Sequence, residues 1–163
     1  LIGLLGIFLA YTADMNSRWS NQQFADPLSL EDPEHQGWLP DPGGIFYNDT
    51  MSLFYKTFYE NPHGDWRYIL GFEPVLMPED DLQTYRDIQF YRRQDDMLYQ
   101  PWVDKMKPED RLVLRKPKAT KPDIPELEWK YVAYRTWSGR LPREASNPVD
   151  MNSTDDNQSG PEE

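Results

Sequence analysis

Apolar and polar positions divide the chain into four stretches with different patterns. Residues 1–19 begin with an uncharged apolar run. Residues 20–47 contain prolines and glycines too often for a helix or a strand, which predicts an extended loop. Residues 48–143 carry short amphipathic patterns, and residues 144–163 form an acidic tail whose composition indicates disorder. We therefore expect a mostly irregular and α-helical chain with at most a small β element.

The first stretch indicates the end of a truncated transmembrane helix. The apolar run Leu1–Tyr11 is shorter than the roughly 20 helical residues that span a bilayer. Because the chain does not begin with Met, we expect further apolar residues before Leu1. Tyr11 and Trp19 would then lie at the membrane interface, where aromatic side chains are enriched. A signal-peptide remnant and a buried core helix are the alternatives.

The charges after this run predict the side of the membrane on which the body lies. Up to Tyr55 the only basic residue is Arg18, and several carboxylates accompany it. The positive-inside rule would place basic residues on a cytoplasmic or matrix flank, so we expect the body on the opposite side. For a mitochondrial inner membrane this is the intermembrane space. A thylakoid or secretory-pathway membrane is the alternative, and in a secretory lumen the sequons at Asn48, Asn152 and Asn157 could carry sugars.

Two helices are predicted within residues 48–143. Residues 48–50 can cap a helix over residues 51–59, which an Asn-Pro-His-Gly sequence then ends. A proline followed by three carboxylates at residues 78–81 opens a second helix that continues to about Gln94. Residues 108–112 repeat this opening, so we interpret them as a second use of the same helix-start signal.

One strand is predicted near the end of the body. Trp129–Trp137 alternates residue types typical of a strand, and Ser138-Gly139 ends it. A single strand is unstable in water. We therefore expect it to pair with another segment of this chain or with the sheet edge of another subunit.

Composition favours a chain that folds against partners. Its 15 prolines leave little continuous apolar sequence, yet 14% of its residues are aromatic. Large aromatic side chains are typical of protein interfaces. The net charge of −11 argues against nucleic acid as a partner, although most basic residues lie between positions 104 and 143. The partner-contact candidates are the six tryptophans, Trp19, Trp38, Trp66, Trp102, Trp129 and Trp137.

The sequence offers little that is typical of an enzyme. It contains no cysteine, and His35 and His63 stand in loops at a spacing that is not typical of zinc ligands. Adjacent carboxylates at 80–81 and 95–96 do not converge on one helix face. We expect no catalytic residue, no metal and no cofactor; an enzyme that uses His63 with neighbouring carboxylates is the remaining alternative.

These features together predict a non-catalytic accessory subunit of an energy-transducing membrane complex. One span followed by a proline- and aromatic-rich chain is similar in layout to supernumerary subunits of respiratory and photosynthetic complexes. The expected partners are the other subunits and the lipid bilayer, with the mitochondrial respiratory chain favoured. A thylakoid complex subunit and a single-pass secretory glycoprotein that acts as a binding module are the alternatives.

Overall fold

Five strands form one mixed sheet in the part of the chain that the structure, a computed structural model, describes: residues 27–91, 95–116 and 120–142. The order across the sheet is β2-β1-β3-β5-β4. Both neighbours of the first strand run parallel to it, and the hairpin of the last two strands adds antiparallel pairs. The strands are β1 (Ile45–Asn48), β2 (Arg67–Tyr68), β3 (Arg111–Arg115), β4 (Glu128–Ala133) and β5 (Thr136–Arg140).

The lengths of the connections explain these directions. Parallel neighbours need a long crossover, usually a helix, whereas antiparallel neighbours can be joined by a tight turn. Helices accordingly lie between β1 and β2 and between β2 and β3, and only Tyr134 and Arg135 separate β4 from β5. The described α-helices are α1 (Met51–Glu60), α2 (Glu79–Phe90) and α3 (Gln100–Val103); the 3-10 helices are Pro33–His35, Pro74–Leu76 and Asp96–Tyr99.

Both predicted helices are confirmed. α1 follows Thr50 at the N-cap, and α2 follows Pro78 with three carboxylates in its first turn. Asn61 ends α1: its side-chain amide donates to the carbonyl oxygen of Thr57 at 2.8 Å and to that of Leu28 at 2.6 Å. α2 ends at Phe90, four residues before the predicted end. The bond to Leu28 also holds the loop that precedes β1 against the end of α1.

The helix start predicted at residues 108–112 is wrong. Asp110 closes a turn instead, because its carboxylate accepts from the backbone N–H of Lys107 at 2.8 Å and from that of Ile45 at 2.7 Å. The second of these bonds links the turn to β1. Buried positions then continue from Arg111 to Leu114, so the chain leaves the turn as the central strand β3.

The strand predicted over Trp129–Trp137 is confirmed as β structure, but it is two strands. The chain turns back at residues 134–135, and Tyr131 of β4 then faces Trp137 of β5. Trp137 also lies opposite Leu114 of β3. The strand's partners therefore belong to the same chain.

Apolar side chains cover both faces of the sheet. On one face Tyr47, Leu112 and Leu114 pack with Trp102 of α3. On the other face Phe46 and Val113 pack against buried side chains of the preceding loop and of α1, namely Leu28, Leu39 and Leu53. The described residues therefore enclose their own core between two covering layers.

A fully buried guanidinium ties the preceding loop to β3. The Arg111 side chain is inaccessible to solvent and bonds to Asp41 at 3.0 Å and to the carbonyl oxygens of Gly37 at 3.1 Å and Pro108 at 2.8 Å. Gly37 has a φ of 76°, a left-handed conformation that glycine adopts without strain. A buried charge with these partners is satisfied inside the fold.

The expected fold class, an irregular and α-helical chain lying on other subunits, is wrong for the described residues. Their aromatic side chains build an internal core: Trp102, Tyr99 and Phe54 are each at most 2% exposed. Proline did not prevent this, because Pro33, Pro74 and Pro101 stand in the first turns of short helices.

No helix among the described residues has the length and apolar character needed to cross a membrane. The transmembrane helix predicted at residues 1–19 lies outside the described residues, and so does the tail at residues 144–163. The expected membrane location and trans-side orientation therefore stay predictions.

Candidate binding groove

A groove of about 470 Å³ lies beside β2, at one end of the sheet. Ligand sites commonly have volumes of about 300–1,000 Å³ and combine apolar walls with a few polar groups. This groove fits that description. Its lining is supplied by Ile45, Arg67, Tyr68, Ile69, Gly71, Phe72, Glu73, Leu76, Met77, Pro78 and Asp81.

The outer wall of the groove is an apolar segment that the fold leaves in solvent. Phe72 and Leu76 of the lining are 51% and 77% exposed, and Val75, which precedes Leu76 but does not line the groove, is 66% exposed. Val75 and Leu76 belong to the 3-10 helix Pro74–Leu76, which starts with a proline. The Phe72 ring packs edge-to-face against Phe54 and Phe58 of α1, with both centroid distances 5.2 Å. One end of this wall is thus fixed by aromatic contacts.

Beside the groove, β2 forms one edge of the sheet. In the parallel pairing with β1, Arg67 donates to the Gly44 carbonyl oxygen at 2.9 Å and Ile69 to that of Phe46 at 3.1 Å. Alternate residues of a strand bond on opposite sides, so the backbone N–H and C=O of Tyr68 point away from the sheet. Neither group has a hydrogen-bond partner among the described residues. β2 therefore offers one donor and one acceptor to an added strand.

The opposite edge of the sheet is contacted by the segment that precedes β1. The imidazole Nε2 of His35 lies 2.9 Å from the Val132 carbonyl oxygen of β4, and Lys130 donates to the carbonyl oxygen of Glu34 at 2.6 Å. The short helix Pro33–His35 thus lies along β4. Covering an edge in this way protects it from unwanted pairing. Tyr68 of β2 has no such contact among the described residues.

Carboxylates lie in the groove lining and on the segment next to it. Glu73, Glu79 and Asp80 are exposed on the segment that leads into α2. Asp81 is buried in the groove wall, where it forms an ion pair with Lys105. Arg67 is the basic residue in the lining. The rim therefore favours a ligand that carries positive charge next to apolar groups.

The Tyr68 hydroxyl is unsuited to acid–base chemistry near neutral pH. Burial raises the pKa of this hydroxyl to about 12, and the neighbouring Trp66 side chain opposes the increase. Neither the hydroxyl nor the Trp66 indole nitrogen has a partner of normal hydrogen-bond geometry among the described residues. Burial likewise raises the pKa of Tyr47 to about 12, and the carboxylates of Asp110 and Asp81 add to the effect. Both phenols stay protonated at neutral pH.

The five described tryptophans contact other residues of the chain. Trp102 lies in the core, and Trp66 approaches the groove through Tyr68, with ring centroids 6.3 Å apart. Trp38 lies beneath the Arg140 guanidinium at 4.3 Å. Trp129 and Trp137 sit on β4 and β5. Trp19 falls outside the described residues. The fold thus does not gather the tryptophans at one surface, and their role in partner contact stays a prediction.

The sequence did not predict the exposed apolar segment beside the groove. Phe72, Val75, Leu76 and Met77 form a short apolar stretch between Gly71 and Pro78. Such a stretch is equally typical of a buried strand, and only the fold shows that most of it is exposed.

The two histidines and the acidic pairs do not form a reaction centre in the described part of the chain. Nδ1 of His35 lies 3.0 Å from the backbone nitrogen of Ser29, whereas His63 is exposed in a loop. Asp95 accepts from the N–H of Met97, and Asp96 pairs with Lys116. No group of three or more possible metal ligands is found among the described residues.

The sequon at Asn48 is inaccessible in the fold. The Asn48 side chain is fully buried, and its amide nitrogen, the atom that would carry the sugar, donates to the Thr50 carbonyl oxygen at 2.9 Å. A glycan on this nitrogen is incompatible with the observed packing. Asn152 and Asn157 lie outside the described residues.

Comparison with known proteins gives one local similarity. The chain is 35% identical over 65 residues to an invertase of Schwanniomyces occidentalis; the match covers 39% of this chain and 12% of that protein. The chain therefore spans only a small part of this relative. No protein-family model matches the chain, and no solved structure matches it.

Proposed function

We propose that this chain is a non-catalytic binding domain that holds an extended segment of a partner protein in the groove beside β2. The observation that carries the proposal is an open strand edge that runs beside an exposed apolar wall. Peptides that add a strand to a sheet edge gain affinity from main-chain hydrogen bonds and specificity from pockets for alternate side chains. The groove supplies both kinds of contact.

The apolar wall contributes to binding but is insufficient alone. Fully burying a Leu or Phe side chain stabilises by about 1.5–3 kcal/mol, and Phe72 and Leu76 of the lining are 51% and 77% exposed. Covering both therefore contributes about 2–4 kcal/mol. Association itself costs about 4–15 kcal/mol. The hydrogen bonds at Tyr68 and the charges of the rim are needed as well.

The charge of the rim defines the partner further. Glu73, Glu79 and Asp80 leave an excess of negative charge around the groove, in a chain of net charge −11. A segment that alternates apolar residues with Lys or Arg complements both surfaces. Its apolar side chains would enter the groove, and its basic side chains would face the rim.

The proposal keeps the expectation of an accessory subunit and changes its mechanism. A neighbouring subunit would supply the bound segment, and the domain would enter the assembly already folded. Membership of a membrane complex, in the mitochondrial inner membrane or elsewhere, is the proposed setting. This part of the proposal rests on the apolar run of residues 1–11.

A matched pair of substitutions tests the groove. Leu76 and Phe90 are both 77% exposed, but only Leu76 lines the groove. The full chain, Leu76→Asp and Phe90→Asp would be extracted in mild detergent, separated by size and compared by mass spectrometry of co-migrating proteins. We expect Leu76→Asp to lose a partner that the other two retain. Equal retention by all three proteins would contradict the proposal.

Invertase activity is a second candidate, favoured by the local similarity to the invertase of Schwanniomyces occidentalis. Hydrolysis of a glycosidic bond generally needs two carboxyl groups that flank it. Asp41 and Glu109 lie on adjoining loops, since the Asp41 N–H donates to the Glu109 carbonyl oxygen at 2.9 Å, and both residues are partly exposed. Release of glucose from sucrose by the full chain, lost in Glu109→Gln, would support this candidate. No release above the buffer rate would remove it.

A further inference from the structure

Asp81 is the buried carboxylate in the lining of the groove beside β2. Its side chain is 9% exposed, whereas Arg67 and Glu73, the other charged residues of the described lining, are exposed. Solvent and salt screen the charges of exposed groups, but a buried charge is screened much less. Asp81 is therefore the charged lining residue that acts most strongly on a ligand inside the groove.

The cation that pairs with Asp81 inside the fold is free to leave. The ammonium of Lys105, two positions beyond α3, donates to Oδ1 of Asp81, and the Lys105 side chain is 40% exposed. Oδ2 of Asp81 has no hydrogen bond among the described residues. The flexible stem of a lysine lets its ammonium turn into water. A buried carboxylate that loses its partner then needs another cation in its place.

We propose that Asp81 selects a lysine or arginine side chain of the bound segment, and that this cation takes the place of Lys105. The inference rests on the proposed function and deepens it, because it assigns one basic side chain of the segment to the interior of the groove. The apolar stem of Lys or Arg can lie along the apolar lining, which includes Ile45, Ile69 and Met77.

The exchange of cations provides the selectivity. It replaces an ion pair whose lysine is 40% exposed by one whose cation is covered by the bound segment. Opposite charges attract each other more strongly where water is excluded. A neutral side chain at this position leaves the Asp81–Lys105 pair as it is and gains no ion pair, and an acidic side chain is repelled.

Two peptides test the inference on the full chain. One alternates Leu and Lys; the other alternates Leu and Gln, which keeps the apolar residues and removes the charge. Calorimetric titration compares the unchanged chain with Asp81→Asn and with Asp80→Asn, because Asp80 is an exposed neighbouring carboxylate outside the lining. We expect Asp81→Asn to weaken binding of the Leu–Lys peptide by about ten-fold or more. Asp80→Asn should weaken it much less, and the weaker binding of the Leu–Gln peptide should be the same in all three proteins.

Removing the competing lysine should have the opposite effect. Lys105→Met keeps an apolar stem and leaves Asp81 without its cation, so the Leu–Lys peptide should bind about two- to five-fold more tightly than to the unchanged chain. Lys107→Met is the matched control, since Lys107 is exposed and lies outside the lining; it should change the affinity less. Circular dichroism checks that each variant is folded, and the Lys105 arm decides the question if Asp81→Asn is not.

The outcomes separate this inference from the proposed function. Equal weakening by Asp81→Asn and Asp80→Asn, or a Lys105→Met variant that binds no more tightly than Lys107→Met, would overturn the inference and leave the groove as the binding site. If neither peptide binds to the unchanged chain, the proposed function is contradicted, and the inference with it.

Discussion

Replacing Trp102 with Ala tests whether the described residues build their own core. The Trp102 side chain is 0% exposed, and its ring centroid lies 5.8 Å from that of Tyr47 and 6.3 Å from that of Tyr99. Its indole nitrogen has no hydrogen-bond partner among the described residues, so the loss is one of packing. Such a truncation costs about 3–5 kcal/mol.

Urea unfolding of the full chain, followed by circular dichroism, measures this cost. With a urea dependence of about 1–3 kcal/mol per molar, the midpoint should fall by about 1 M or more. The urea midpoint of Trp102→Phe should fall less than that of Trp102→Ala. At the exposed position Tyr59, substitution by Ala should change the free energy of unfolding by less than about 0.5 kcal/mol. An unchanged midpoint in Trp102→Ala would refute the reasoning, because a tryptophan whose contacts are with partners affects association and not the unfolding of the chain alone.

Three further predictions concern buried polar groups. Arg111→Ala should lower the free energy of unfolding by about 3–5 kcal/mol, because the Asp41 carboxylate and the carbonyl oxygens of Gly37, Pro108 and Asp110 lose their bonds to the guanidinium; the urea midpoint measures this. His35→Ala should cost about 1–3 kcal/mol, since the Val132 carbonyl oxygen loses its contact, and hydrogen exchange along β4 should increase. Between pH 10 and 12 stability should fall, because the unfolded chain ionises Tyr68 near pH 10 and the folded chain only near pH 12. In urea unfolding at pH 8 and pH 11, Tyr68→Phe should reduce this loss; an unchanged loss would contradict the cause assigned to it.

Local features of the fold followed from the sequence. The signals at residues 48–50 and 78–81 are local, and both helices begin where these signals stand, although neither N-cap side chain makes a capping hydrogen bond. Residues 108–112 start with the same Pro-Glu-Asp sequence but have a different outcome. There the Asp110 carboxylate bonds to Ile45, which is 65 positions away, and a contact at that distance has no local signature.

Long-range packing explains why the fold class was missed. A tryptophan has the same sequence signature in a core and at an interface, and Trp102 lies in the core because β1 and β3 bring Tyr47 and Leu112 against α3. Frequent prolines indicated an irregular chain, but several of them start short helices, where the missing N–H has no cost.

The groove could not be predicted because it depends on the order of the strands. β2 is only two residues long, and one of its edges has no strand neighbour because β2 is the last strand in the order. The strand order cannot be read from periodicity. The exposed residues Phe72, Val75 and Leu76 therefore resembled any short apolar stretch.

Hydrogen exchange at the Tyr68 amide tests the central claim most directly. The full chain would be measured alone and with a peptide that alternates Leu and Lys, the chemistry that the groove and its rim should recognise. We predict that the Tyr68 amide exchanges readily in the free chain and becomes protected when the peptide binds, because the peptide pairs with the open edge of β2. Peptide binding that leaves Tyr68 unprotected, or no binding at all, would contradict the account.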